Sequence, residues 1–158
     1  MTWADWEEAL FSLCIWREAS GEGEAGMRAV AHVVANRVFD PQCAFGRGYA
    51  GVVAQKNQFS AMTIAGDPST VRWPTPNDSS FAAAMRIATE VLRGQSIDPT
   101  RGATFYRNPK TATSEWFEKN IAQNPDFYLS ASIGHHVFYA RRPVPKEAKD
   151  AGSLWGAA

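Results

Sequence analysis

Glu18, Glu22 and Glu24 crowd one corner of the chain, and they are the side chains whose spacing first suggests chemistry. Glu18 follows the run Phe11-Ser12-Leu13-Cys14-Ile15-Trp16, so its carboxyl is expected at the rim of an apolar wall, where desolvation raises the pKa. A carboxylic acid kept protonated near neutrality is what a glycosidic oxygen requires of a general acid. Glu22 and Glu24 sit at a helix start, where acids complement the dipole and stay solvated. Glu22 is also the nearby candidate for a second carboxylate, although Gly21 interrupts the helical turn that would bring it alongside Glu18.

Trp73, Tyr106, Trp116 and Tyr139 offer faces for sugar rings, with core packing as the alternative for each. Gln58, Ser60 and Asn108 offer amide and hydroxyl groups for the polar edges of such rings. His135 and His136 alternate along an expected strand, which leaves one of them to face a cleft, and His136 shares its side with Phe138. With His32 they form no metal-ligand spacing, so neither metal nor cofactor is expected. No G-x-S-x-G elbow surrounds a serine. Gly21 to Gly26 spells G-x-G-x-x-G, but a helix rather than a strand precedes it, and two glutamates within it would repel phosphate.

Apolar periodicity supplies the elements that must hold these groups. A helix capped by Asp5 is expected to run to about Ala19, and a second from Glu24 to Val38 carries Met27, Val30, Ala31, Val34 and Val38 on one face. Tyr49 to Lys56 reads as a short helix and Asp67 to Asn77 as a loop. Asp78 caps a further helix whose apolar face is Phe81, Met85, Ile87, Ala88, Val91 and Leu92. Thr104 to Tyr106 and His136 to Tyr139 read as short strands, with a small helix from Ser114 to Ile121 between them. Helices first and a small antiparallel sheet in the C-terminal half indicate an α+β fold.

The 158 residues suit one domain, placed at 1–142, with a Pro-containing tail at 143–158. The 16 basic and 16 acidic residues balance, which removes the electrostatic case for nucleic acid as a partner. No apolar run is long enough for membrane insertion, and the acidic N-terminus lacks the basic start of a secretory signal. A soluble monomer made in the cytoplasm is therefore expected. Cys14 and Cys43 read as free buried thiols.

The residues Arg17 to Val38 resemble the opening block of the cell wall hydrolase family typified by spore cortex-lytic enzymes, which reads roughly G-E-A-R-G-E, then E-G, then a helix ending in N-R-V. Gln58-Phe59-Ser60 resembles its Q-F-S. Gly102 to Thr113 with Trp116 resembles its F-Y-x-N-P-x-x-A segment and following tryptophan, and Ile133 to Phe138 resembles its I-G-x-H-x-F strand. The resemblance implies a lysozyme-like domain acting on peptidoglycan glycan strands, with Glu18 as the catalytic acid. It implies lytic transglycosylation, in which a hydroxyl of the substrate is the nucleophile and one carboxylate suffices. Gln58, Ser60, Tyr106, Asn108, Trp116 and His136 are then expected to shape the cleft. The alternatives are a muramidase with Glu22 as second carboxylate and a silent glycan-binding domain. Arg17 stands where the family has glycine, Ser20 where it has arginine and His135 where it often has asparagine. A cation at Arg17 would favour ionised Glu18 unless it points to solvent. A leaderless lysin of this size resembles a phage or prophage endolysin released through a holin.

Overall fold

The computed structural model describes residues 2–42, 44–111 and 114–143. Helix α1 (Trp3–Ala19) starts from Thr2, whose hydroxyl accepts from Asp5 N at 3.2 Å while the Asp5 carboxylate accepts from Thr2 N at 2.6 Å. Asp5, the expected cap, is thus the reciprocal member of a capping box, because the pair satisfies two free amides where Asp5 alone would satisfy fewer. From Phe11 to Arg17 every residue of α1 is buried, which makes its second half a core helix. A 3₁₀ turn (Ser20–Glu22) leads into α2 (Gly23–Val38).

Two short helices follow, α3 (Gly48–Val53) and α4 (Ser60–Thr63). The stretch expected as a loop contains a 3₁₀ turn at Pro68–Val71, with the Asp67 carboxylate accepting from Ser69 N. Helix α5 (Ser79–Leu92) is capped by Asp78, which accepts from Ser80 N and Phe81 N, both at 3.0 Å. Its buried face is Ala84, Ile87, Ala88 and Val91, whereas Met85 and Leu92, expected inside, are exposed. The alanines are what let α1 and α2 pack closely against α5, so the larger neighbours are turned out.

Strand β1 (Ala103–Arg107) is followed by α6 (Glu115–Phe117), which Ser114 caps and which runs into a π turn at Glu118–Ala122. Strands β2 (Phe127–Ile133) and β3 (His136–Arg141) complete an antiparallel sheet in the order β1-β3-β2. β2 has no counterpart among the strands expected from sequence. Its Ser130-Ala131-Ser132 centre has low β propensity, and a bulge between Leu129 and Ala131 breaks the alternation that would have marked it.

The main core joins α1, α2, α3 and α5, with Phe11, Cys14, Ile15, Val30, Val34 and Ile87 at its centre. A second cluster of Ala29, Val33, Ala103 and Phe138 fastens the sheet to α2, and a third, Ile121, Phe127 and Tyr139, lies under α6 and its π turn. Cys14 is a free buried thiol. Cys43, and the tail beyond Pro143, lie outside the described residues.

Candidate active site

Glu18 lies one turn after Cys14 and two turns after Phe11, on the same side of α1, so its carboxyl leaves the core where the helix ends. There it opens into a cleft of about 780 Å³ between the helices and the sheet. Its Oε1 accepts from the Ala61 amide at 3.0 Å, and its Oε2 accepts from the Tyr106 hydroxyl at 2.7 Å. Burial nevertheless pushes the carboxyl above its ordinary value. The two hydrogen bonds favour the ionised form but do not cancel the desolvation, and the charge of Asp67 adds to the upward shift. Tyr106 is raised well above the usual phenol value by burial and by Glu18, so it stays protonated and serves as a donor.

Tyr106 is fixed from two sides. Its ring stacks on Phe138 at 5.7 Å between centroids, and the His136 ring meets it edge-on at 5.2 Å. Burial holds the His136 imidazole below its ordinary pKa, which keeps it neutral at pH 7. Each of the residues expected at the cleft lines it: Gln58, Ser60, Tyr106, Asn108, Trp116 and His136. Asn108 turns its Oδ1 to the Lys110 amide at 2.9 Å, and Trp116 is 58% exposed, its ring free to stack on a ligand. Ala112 and Thr113 of the matching segment lie outside the described residues.

Trp73 and Tyr139 are not among the described residues that line this cleft. Tyr139 is buried in the third cluster, the core alternative for an aromatic. Trp73 is exposed and stacks on the Arg17 guanidinium at 4.8 Å. His135 belongs to the turn before β3, so it does not alternate with His136 along a strand. Glu22 also lies outside the cleft lining. Its carboxylate accepts from His135 N at 2.9 Å and faces His135 Nδ1 at 3.1 Å, which holds it below the ordinary carboxylate range.

Arg17 neither points to solvent nor pairs with Glu18. It is buried, with Nε and Nη2 donating to the Arg72 carbonyl at 3.0 and 2.9 Å and Nη1 to the Ala61 carbonyl at 3.4 Å. The cation that does act on Glu18 is Arg37, in the last turn of α2, which lines the cleft. Arg37 Nε donates to the Thr104 carbonyl at 2.7 Å, and its guanidinium lies near the faces of Phe45, Phe59 and Phe105. Burial lowers its pKa to about 10, so it remains charged. Arg37, the middle residue of the N-R-V that closes the first block, was given no site role from sequence, yet a signal existed: it falls on the apolar stripe of α2, one turn after Val34 and two after Val30. A charged residue on a buried stripe is costly unless it has work or partners there.

Among the described residues no group of three or more His, Cys, Asp or Glu side chains is arranged to hold a metal ion, and no helix is long and apolar enough to cross a membrane. Residues 21–139 match the family model described as Cell Wall Hydrolase, a span that begins just after Glu18. A spore cortex-lytic enzyme of Halalkalibacterium halodurans is 33% identical over 136 residues, covering 86% of this chain and 35% of that protein. One from Bacillus subtilis is 30% identical over 129 residues, covering 82% and 36%. The chain thus spans only about a third of the length of these curated relatives. Among solved structures, the catalytic domain of the germination-specific lytic transglycosylase SleB from Bacillus anthracis superposes with a TM-score of 0.62 at 27% identity, covering 84% of this chain and 92% of that one. The SleB catalytic domain of Bacillus cereus gives 0.59 at 29%, covering 84% and 88%.

Proposed function

The chain belongs to the cell wall hydrolase family and has its lysozyme-like α+β fold, and from that premise we propose that it cleaves peptidoglycan as a lytic transglycosylase. Protonated Glu18 donates to the oxygen linking N-acetylmuramic acid to N-acetylglucosamine. As that bond breaks, the Glu18 carboxylate is left accepting from the Tyr106 hydroxyl and the Ala61 amide, which stabilise its charge until the second proton transfer. It then takes the proton of the muramyl C6 hydroxyl while that oxygen bonds to C1, closing a 1,6-anhydro ring. No water is consumed, and the carboxyl ends protonated as it began.

One observation carries the reading: Glu18 is the one carboxylate among the described residues that line the cleft, and its environment favours the protonated form. A two-carboxylate glycosidase needs its second acid at about 5–5.5 Å for retention or about 6.5–9.5 Å for inversion. The candidate for that role, Glu22, is instead engaged at the hairpin before β3. Mass spectrometry of muropeptides released from purified sacculi tests the route. Products one water lighter than reducing muropeptides are expected. Reducing ends would transfer the mechanism to a muramidase, and binding to sacculi without any released product would leave a glycan-binding domain.

The same reading includes an endolysin role, with the chain made in the cytoplasm and admitted to the wall through a holin. Co-expression with a holin is expected to lyse the culture, whereas expression alone leaves it intact. Lysis without a holin would contradict that route.

A further inference from the structure

Glu22 stands at the N-terminus of α2, four residues beyond Glu18, yet its carboxylate is directed at the turn between β2 and β3. Two glycines make the approach possible. A Cβ on Gly26 would collide with the Glu22 Cβ, so the absence of a side chain there lets Glu22 lie across the first turn of α2. A Cβ on Gly134 would collide with Glu22 Oε2, and Gly134 also has φ +58°, which a side chain would strain. The Glu22 side chain is only 14% exposed, and it bonds both the amide and the imidazole of His135. The next residue is His136, which begins β3, lines the cleft and meets the Tyr106 ring edge-on. Tyr106 in turn donates to Glu18.

We propose that Glu22 is a positioning residue, a latch that holds the Gly134-His135 turn so that His136 keeps Tyr106 on the Glu18 carboxyl. This rests on Glu18 being the acid of the proposed reaction, and it gives Glu22 a role other than second carboxylate. The latch requires reach and an acceptor oxygen for the His135 amide. A catalytic carboxylate would require charge. Glutamine keeps the reach and loses the charge, whereas aspartate keeps the charge and is one methylene shorter.

The test is the kcat, KM and pH profile of Glu22→Gln and Glu22→Asp on sacculi, with thermal melting to confirm that each is folded. Glu22→Gln is expected to stay within a few-fold of wild type. Glu22→Asp is expected to lose about 10- to 100-fold in kcat, the scale of a misplaced catalytic group, with KM little changed. Because the Tyr106 bond lowers the Glu18 pKa, its loosening in Glu22→Asp moves the alkaline limb of activity to higher pH. In a Tyr106→Phe background Glu22→Asp should shift that limb no further, the signature of two residues acting in series. The reverse order, a folded but inactive Glu22→Gln beside an active Glu22→Asp, overturns the latch. So does a Glu22→Asp enzyme with wild-type kcat and pH limb. Product analysis separates the two readings: anhydro ends beside the reverse order overturn the latch and leave the transglycosylase standing, whereas reducing ends beside the expected order overturn the transglycosylase and leave the latch.

Discussion

At the scale of residues, the Glu18 carboxyl is held in a place that opposes its own ionisation. Two donors reach it, but burial outweighs them. The folded protein therefore binds the Glu18 proton more tightly than the unfolded chain, whose ordinary value is 4.5. By linkage, this carboxyl makes no demand on stability below that value and costs stability as pH rises through the window between the unfolded and the raised folded pKa. Glutamine removes the ionisation while its Oε1 can accept from Ala61 N and its amide can donate to the Tyr106 oxygen. Thermal melts of Glu18→Gln and wild type are expected to show the variant more stable at pH 7 and the two converging below pH 4.5. Glu18 was legible because it closes a helix whose preceding run, residues 11–16, is largely apolar. Arg17 and Arg37 were harder to read, since each lies on a buried helical stripe and its partners are carbonyls and aromatic rings distant in sequence. Sequence spacing within one helix cannot reveal partners of that kind.

At the scale of elements, α1 delivers Glu18, α4 the Ala61 amide, β1 Tyr106 and β3 His136, while α5 makes none of these contacts and braces α1 and α2 from behind. The bracing is testable because Ile87 is fully buried within the shared core. Ile87→Ala is expected to cost about 2–5 kcal/mol through lost burial and the cavity left behind. In urea unfolding it should lower the midpoint while leaving the slope, and the folded fraction should keep its activity. An unchanged midpoint would remove α5 from this role. Helices α2 and α5 could be read from their 3.6-residue periodicity, and the cap at Asp78 from its position before α5. Helix α4 could not, because four residues hold no period, and its place is fixed by the Glu18 bond and by packing on α1. β2 was hidden by its bulge and its serines.

At the scale of the whole molecule, a helical core packs against a three-stranded sheet, and the cleft between them has Glu18 in its wall and aromatic and polar residues from both halves around it. Residues from position 18 to position 136 converge there, and this convergence is what four short sequence blocks in fixed order encode. Glu18, Gln58, Ser60, Tyr106, Asn108, Trp116 and His136, all taken from the blocks, line the cleft, and Phe105, Arg107 and Phe117 line it beside them. The first block contains Arg17, Glu22 and Arg37, but nothing in it shows what they touch: the aromatic faces around Arg37, the carbonyls that anchor Arg17 and the His135 turn that Glu22 holds. Each of these depends on contacts that only the folded chain brings within reach.

The central claim is that one carboxyl, Glu18, performs both proton transfers, and the most direct measurement is the rate at which purified sacculi are solubilised by wild type and by Glu18→Gln at equal folded concentration. The account predicts that the glutamine variant retains its fold and loses turnover by about 10³-fold or more, because neither the acid nor the base step has another group to perform it. A folded Glu18→Gln protein that solubilises sacculi at the wild-type rate would contradict it and would require a different residue to carry the proton.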